Sequence, residues 1–124
     1  MSWRVLVVED NPLNMELVTD LLELEGFEVL AAMTASDGIK LAETHVPNIV
    51  LMDIALPDMD GLAAAKLLKA NPKTRNIPVI ALTAHAMSGD EEKALAAGCD
   101  GYITKPIETK TFAERIGGYI RQAS

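Results

Sequence analysis

The sequence is poor in cysteine, in aromatic residues and in positive charge. A single cysteine, Cys99, excludes an internal disulfide and a cysteine-based zinc site, and we expect it to be a small buried thiol. Only 4% of the residues are aromatic, so the core is predicted to be aliphatic. The formal net charge of −7 argues against direct nucleic-acid binding, which needs Lys and Arg to neutralise phosphates.

Long apolar runs and a secretory leader are missing as well. No stretch approaches the roughly 20 apolar residues that span a bilayer, and Met1 is followed almost at once by a strand-like run. We therefore expect no membrane association and a cytoplasmic location. The length fits one domain, over residues 1–124, with a single core.

The chain alternates five times between strand and helix signals. Apolar runs rich in Val, Ile and Leu predict strands at residues 4–9, 27–31, 48–53, 78–83 and 101–104. Helices are predicted from residue 12 to 26, over 35–45 and 62–70, from a capping box at 88–91 to 98, and around 112–120. Because parallel strands need crossover helices, this pattern predicts a doubly wound α/β domain with a parallel sheet covered on both faces.

Two adjacent glycines interrupt the last predicted helix. Gly117 and Gly118 should each cost about 1 kcal/mol relative to Ala in a helix interior. Close packing of this helix on the sheet is one explanation for them.

Polar residues of interest lie where the predicted strands end. The first strand runs into Glu9 and Asp10, the third ends in Asp53, the fourth ends in Thr83, and the fifth runs into Lys105. Ligands of doubly wound sheets bind outside the carboxyl ends of the strands, so these side chains are expected to converge. Each residue alone has an ordinary explanation, such as a solvated acid, a local hydrogen bond or a surface lysine. Their joint placement favours a functional site.

The three acids of this group would repel one another, by roughly 4 kcal/mol for a pair about 4 Å apart at an effective dielectric of about 20. Since Lys105 is the nearby cation in this pattern, a hard divalent cation such as Mg²⁺ (or Mn²⁺) would resolve the conflict. Asp53 is then a candidate nucleophile toward phosphorus, because aspartyl phosphates are known covalent intermediates. Thr83 and Lys105 would each bind a phosphoryl oxygen.

These motifs resemble the receiver domains of two-component response regulators over about residues 3–122. The resemblance is carried by residues 5–11 (VLVVEDN), 51–61 (LMDIALPDMDG), 80–84 (IALTA) and 101–106 (GYITKP). It implies a flavodoxin-like (βα)5 fold whose five parallel strands have the order 2-1-3-4-5. It also implies that the chain accepts a phosphoryl group in signal transduction or a phosphorelay.

The same resemblance implies a metal site around the phosphoacceptor. Asp53 is the implied phosphoacceptor, and Asp10 binds the metal directly beside it. Glu9 binds the metal through a water molecule, and the backbone carbonyl of Ala55 supplies a further ligand.

The implied switch consists of Thr83 and Tyr102. Thr83 and Lys105 bind the phosphoryl group, and the Lys105–Pro106 bond is expected to be cis. A phosphoryl group adds a charge of about −1.5 to −2. If Thr83 moves toward it, Tyr102 can fill the vacated space, and the face made by the fourth helix, fifth strand and fifth helix changes its surface.

Three residues beside the implied phosphoryl position bear on access and turnover. Ala84 is small and leaves room for a donor imidazole, whereas Ala55 offers no polar group to hydrolytic water. His85 would either order a water molecule or lie exposed.

Other classes of protein fit this chain less well. An aspartyl-phosphate phosphohydrolase typically carries a second acid two residues after its nucleophile, where this chain has Ala55. A flavodoxin-like cofactor binder needs a Ser/Thr/Gly-rich phosphate cradle after the first strand, where Glu9 and Asp10 would repel an anion. A degenerate receiver used only for docking would not need the complete site.

The expected partners are a histidine kinase or histidine phosphotransfer protein as donor and a downstream protein as target. We expect a phosphoacceptor signalling domain that catalyses only its own phosphorylation and dephosphorylation. A stand-alone regulator, monomeric or weakly dimeric, is expected, and a receiver excised from a hybrid kinase or a larger regulator is the alternative.

Overall fold

The computed structural model describes residues 3–54, 56, 61–83, 90–105 and 107–123. Strands and helices alternate as β1 (Arg4–Val8), α1 (Pro12–Leu24), β2 (Glu28–Ala32), α2 (Ala35–His45), β3 (Ile49–Asp53), α3 (Gly61–Ala70), β4 (Val79–Thr83), α4 (Asp90–Ala96), β5 (Gly101–Thr104) and α5 (Phe112–Ala123). The predicted alternation is confirmed, and the predicted ends either agree with the structure or differ from it by up to three residues. Residues 88 and 89 of the predicted capping box lie outside the described residues.

The five strands form one parallel sheet in the order β2-β1-β3-β4-β5. This confirms the doubly wound, flavodoxin-like fold. β1 and β3 are neighbours in the sheet although they are not consecutive in the chain. The strand order therefore reverses between them, and this is the place where such sheets bind their ligands.

The core lies in two layers, one on each face of the sheet. Residues of β1 alternate between them, since Val5 and Val7 face α1 and α5 while Leu6 and Val8 face α2, α3 and α4. Among the described residues, Phe112 is the one aromatic side chain buried in the core. The prediction of an aliphatic core is therefore confirmed.

The chain enters α1 through a built cap immediately after the first strand. Asn11 is the N-cap residue, and its side-chain oxygen accepts hydrogen bonds from the backbone N–H of Leu13 at 2.9 Å and of Asn14 at 3.2 Å. Pro12 occupies the first helical turn, where a missing N–H costs nothing. The cap fixes where α1 begins relative to Glu9, the last residue before the turn.

The two glycines of α5 have different surroundings. A Cβ atom on Gly117 would lie 3.5 Å from the Trp3 ring and 3.3 Å from the Arg121 guanidinium, so close packing accounts for this glycine. The packing partner is Trp3 and not the sheet. A Cβ atom on Gly118 would meet nothing within 4 Å, and nothing in the structure explains this glycine.

Cys99 is buried and free, as predicted. Burial, with a smaller contribution from the neighbouring Asp100, raises the pKa of its thiol to about 11. The thiol therefore stays protonated and unreactive at neutral pH. Among the described helices, none has the length and apolarity needed to cross a membrane.

Candidate functional site

The carboxyl ends of β1, β3, β4 and β5 meet at one edge of the sheet. Asp53 pairs in register with Leu82, and Thr83 pairs with Thr104, the residue before Lys105. Glu9 continues the line of β1, because its backbone N–H donates to the carbonyl of Ala32 at 3.0 Å. The parallel arrangement thus brings together strand-end residues that are far apart in sequence.

Glu9, Asp10 and Asp53 form a compact group of carboxylates. One oxygen of each lies within 4.8 Å of the others, a spacing suited to ligands of one metal ion. Glu9 is only 1% exposed and Asp53 only 4% exposed, whereas Asp10 is open to solvent. Two buried acids and one exposed acid therefore face a single point at the rim of the sheet.

Lys105 joins the two buried acids. Its Nζ atom lies 2.9 Å from Glu9 Oε2 and 3.0 Å from Asp53 Oδ2. One ammonium against three ionised carboxylates leaves two negative charges, which a divalent cation would balance. All ligand atoms in this group are oxygens, as Mg²⁺ prefers, so the residues present fit such an ion.

The second carboxylate oxygen of Glu9 contacts the beginning of α1. The backbone N–H of Asn11 donates to Glu9 Oε1 at 3.3 Å, and the side-chain amide of Asn14 donates to the same oxygen at 3.4 Å. Sequence reasoning missed Asn14. Its position as the third residue of a capped helix that begins just after Glu9 is the signal that could have identified it.

The pKa values of Glu9 and Lys105 reflect this crowding. Burial raises the pKa of Glu9, and the hydrogen bond and negative charge of Asp53 raise it further, while Lys105 opposes both. Burial alone would lower the pKa of Lys105, but its hydrogen bonds and ion pairs with the two carboxylates raise it overall. The lysine therefore remains a cation over the whole physiological pH range.

Thr83 and Tyr102 lie on the last two strands of the sheet. Thr83 is fully buried, and its carbonyl accepts a hydrogen bond from the backbone N–H of Lys105 at 2.7 Å. Tyr102 is half-buried against the core layer under α2, α3 and α4, and Arg115 of α5 donates to its carbonyl at 3.3 Å. Thr83 is thus the last residue of β4, and it is paired with β5, the strand that also carries Tyr102.

Four predicted residues lie outside the described part of the chain. They are Ala55, Ala84, His85 and Pro106.

Gly61 packs against the backbone of the strand that ends in Asp53. A Cβ atom on Gly61 would collide with the carbonyl oxygen of Asp53 and would lie 2.6 Å from the Cα atom of Ile54. The backbone N–H of Gly61 also donates to the carbonyl of Ile54 at 3.3 Å. Only glycine permits α3 to begin this close to the end of β3, a constraint that sequence reasoning missed.

Comparison with known proteins decides the family. The family model of the response regulator receiver domain matches residues 5–117. The chain belongs to the response regulator receiver domain family.

Relatives and solved structures agree with this membership. The polar-differentiation response regulator DivK of Brucella ovis is 46% identical over 123 residues, covering 99% of this chain and 100% of DivK. The receiver domain of a sensor histidine kinase from Pseudomonas aeruginosa, solved with a magnesium ion in its active-site cleft, is 32% identical with a TM-score of 0.90, covering 98% of this chain and 99% of that one. A CheY-like receiver domain protein from Methanospirillum hungatei is also 32% identical, with a TM-score of 0.88 and coverages of 99% and 97%. The chain is therefore a receiver domain of two-component signal transduction.

Proposed function

We propose that this receiver domain accepts a phosphoryl group on Asp53 from a phosphohistidine of a histidine kinase or phosphotransfer protein. The observation that carries the proposal is the ammonium of Lys105, 3.0 Å from Asp53 Oδ2, inside a group of three carboxylates at the carboxyl edge of the sheet. The domain acts in the cytoplasm and catalyses only its own phosphorylation and dephosphorylation.

Asp53 supplies the nucleophile in this scheme. One of its carboxylate oxygens attacks phosphorus, the bond between phosphorus and the donor imidazole nitrogen breaks, and the imidazole leaves with the electron pair and takes up a proton. Lys105 remains charged and binds one phosphoryl oxygen, while the hydroxyl of Thr83 donates to another.

Glu9, Asp10 and Asp53 would hold the divalent cation. A bound Mg²⁺ or Mn²⁺ would supply positive charge to the transferring phosphoryl group. The magnesium ion in the cleft of the Pseudomonas receiver supports this assignment. So does the excess of negative charge that Lys105 leaves unbalanced.

Exposed apolar side chains beside the site favour a protein as the phosphodonor. Leu13 is 76% exposed and Leu17 is 40% exposed, and both lie in the first two turns of α1, the helix that begins two residues after Asp10. A small phosphate ester would leave these leucines in water, whereas a docked protein would cover them. This feature argues for a signalling domain over the phosphohydrolase alternative.

Phosphorylation would then act on the α4-β5-α5 face and its downstream protein partner. Thr83 ends β4 and is paired in register with β5, the strand that carries Tyr102. Movement of the Thr83 hydroxyl toward a phosphoryl group would change the space available to Tyr102. The new charge thereby biases the face between two states.

The first test is covalent labelling of the purified domain with acetyl phosphate and Mg²⁺, measured as intact mass. The wild type should gain one phosphoryl group, and EDTA should prevent it. Asp53→Asn should remain unlabelled, while the exposed Asp37→Asn should be labelled like the wild type. Undiminished labelling of Asp53→Asn would refute the assignment.

A further inference from the structure

The carboxylate of Glu9 is restrained through both of its oxygens. Oε2 accepts from Lys105 at 2.9 Å, and Oε1 accepts from the backbone N–H of Asn11 and from the side-chain amide of Asn14. Because the two oxygens contact different parts of the molecule, the carboxylate cannot rotate without losing a hydrogen bond. Its orientation toward Asp53 is therefore set before any ligand arrives.

Asn14 has an unusual relation to the cap of α1. In a common capping arrangement, the third helical residue is Glu or Gln, and its side chain accepts a hydrogen bond from the N-cap backbone N–H. Here the N-cap N–H of Asn11 donates to Glu9, and the third helical residue, Asn14, donates to the same oxygen. Glu9 thus takes the place of the acceptor in the cap, and Asn14 supplies a second donor to it.

We propose that Asn14 is a positioning residue for the metal-binding carboxylate of Glu9. This inference rests on the proposed divalent-cation site. In this proposal Asn14 does not bind the metal ion; it acts through its hydrogen bond to Glu9. Its amide holds Oε1 against α1, so that Oε2 stays directed at Lys105. Residues that orient a ligand in this way commonly account for a 10- to 100-fold effect on metal affinity.

A side-chain amide suits this position better than the side chains of alanine or aspartate. Alanine offers no donor, so Oε1 would keep only the bond from Asn11. Aspartate offers no N–H either and would add a fourth carboxylate to the group. Glutamine keeps the amide donor on a longer side chain and favours the helix, so it should restore part of the effect.

The experiment measures the Mg²⁺ dissociation constant by titration calorimetry at fixed pH for the wild type, Asn14→Ala and Asn14→Gln. The matched control is Asn76→Ala, which removes the same group from an exposed residue outside the site. Asn14→Ala should weaken Mg²⁺ binding about 10-fold. Asn14→Gln should bind more tightly than Asn14→Ala, and the control should match the wild type. Urea unfolding in EDTA should differ little among the four proteins.

The outcomes separate this inference from the proposed function. A wild type that does not bind Mg²⁺ would refute the cation site itself. A wild type that binds Mg²⁺ with the same affinity as Asn14→Ala would refute the positioning role alone. The positioning role would also be overturned if Asn14→Ala and Asn14→Gln weakened Mg²⁺ binding equally, because the amide donor would then not be the cause. The same conclusion would follow if the variants lost Mg²⁺ affinity in proportion to a loss of stability in EDTA.

Discussion

Lys105 is the residue through which the two buried acids of the site share one positive charge. Its Nζ atom lies about equally far from Glu9 and Asp53, at 2.9 and 3.0 Å. Both carboxylates are nearly inaccessible to water, so neither can be stabilised by solvent when the ammonium is absent. We therefore expect the stability of the metal-free protein to depend on this side chain.

We expect Lys105→Met to destabilise the metal-free protein by about 2 kcal/mol, because two buried carboxylates lose their shared cation. Mg²⁺ should restore part of the loss, since it supplies positive charge to the same oxygens. Urea unfolding in EDTA and in excess Mg²⁺ measures both effects. The control is Lys110→Met, an exposed lysine with no ion pair among the described residues. Equal stabilities of the two variants would contradict the prediction.

Single residues of the site were predictable to different degrees. The placement of Glu9, Asp10, Asp53, Thr83 and Lys105 at one edge could be predicted, because every parallel strand ends at the same edge of the sheet. The role of Asn14 could not be identified, because it depends on how closely the turn of α1 approaches Glu9. The role of Gly61 depends in the same way on the distance between the start of α3 and the end of β3, and such a distance cannot be read from the sequence.

Among the helices and strands, α5 contains a helix-destabilising glycine, Gly118, that its packing does not require. Gly118 lies in the helix interior, and the space where its Cβ atom would lie is open. Gly117, in contrast, has the Arg121 guanidinium and the Trp3 ring at contact distance. Substituting Gly118 by alanine therefore measures the helix propensity of glycine alone. The same substitution at Gly117 measures that propensity together with the steric crowding.

We expect Gly118→Ala to stabilise the protein by about 1 kcal/mol, the difference in helix propensity between the two residues. Gly117→Ala should stabilise it less, because the new methyl group approaches Arg121 at 3.3 Å and that side chain must shift. Chemical unfolding of both variants beside the wild type tests the order. A larger increase in the free energy of unfolding for Gly117→Ala than for Gly118→Ala would contradict this expectation.

The existence of each element could be predicted from local patterns, and its ends less well. Apolar β-branched runs mark the strands, and Asn11-Pro12 marks the start of α1 in both sequence and structure. β1 was predicted to include Glu9 but ends at Val8, although the backbone N–H of Glu9 still donates to the carbonyl of Ala32. The last residue of a strand cannot be recognised from its residue type alone when the backbone continues in line with the strand for one more hydrogen bond.

The molecule as a whole was predictable only with help from the family resemblance. Alternating strands and helices are compatible with more than one strand order in a doubly wound sheet. The order 2-1-3-4-5 came from the motifs, and the structure confirms it. It places β1, which is followed by Glu9 and Asp10, on one side of β3 and its Asp53, and it places β4 and β5, which carry Thr83 and Tyr102, on the other side.

This arrangement predicts that metal binding and switching can be separated by mutation. Thr83→Ala should leave Mg²⁺ affinity nearly unchanged, because Thr83 is not a ligand. It should reduce the changes that beryllofluoride with Mg²⁺ causes in the amide resonances of β5 and α5. Thr104→Ala, on the neighbouring strand, is the matched control and should respond like the wild type. A full response from Thr83→Ala would remove Thr83 from the switch.

The central position of β3 has a consequence for hydrogen exchange. β3 lies between β1 and β4, and all five of its residues are buried. Amide protons in such a strand exchange with deuterium only when the whole sheet opens, whereas the ends of edge strands exchange through local opening. We therefore expect the β3 amides to be among the slowest to exchange, at rates set by the free energy of global unfolding.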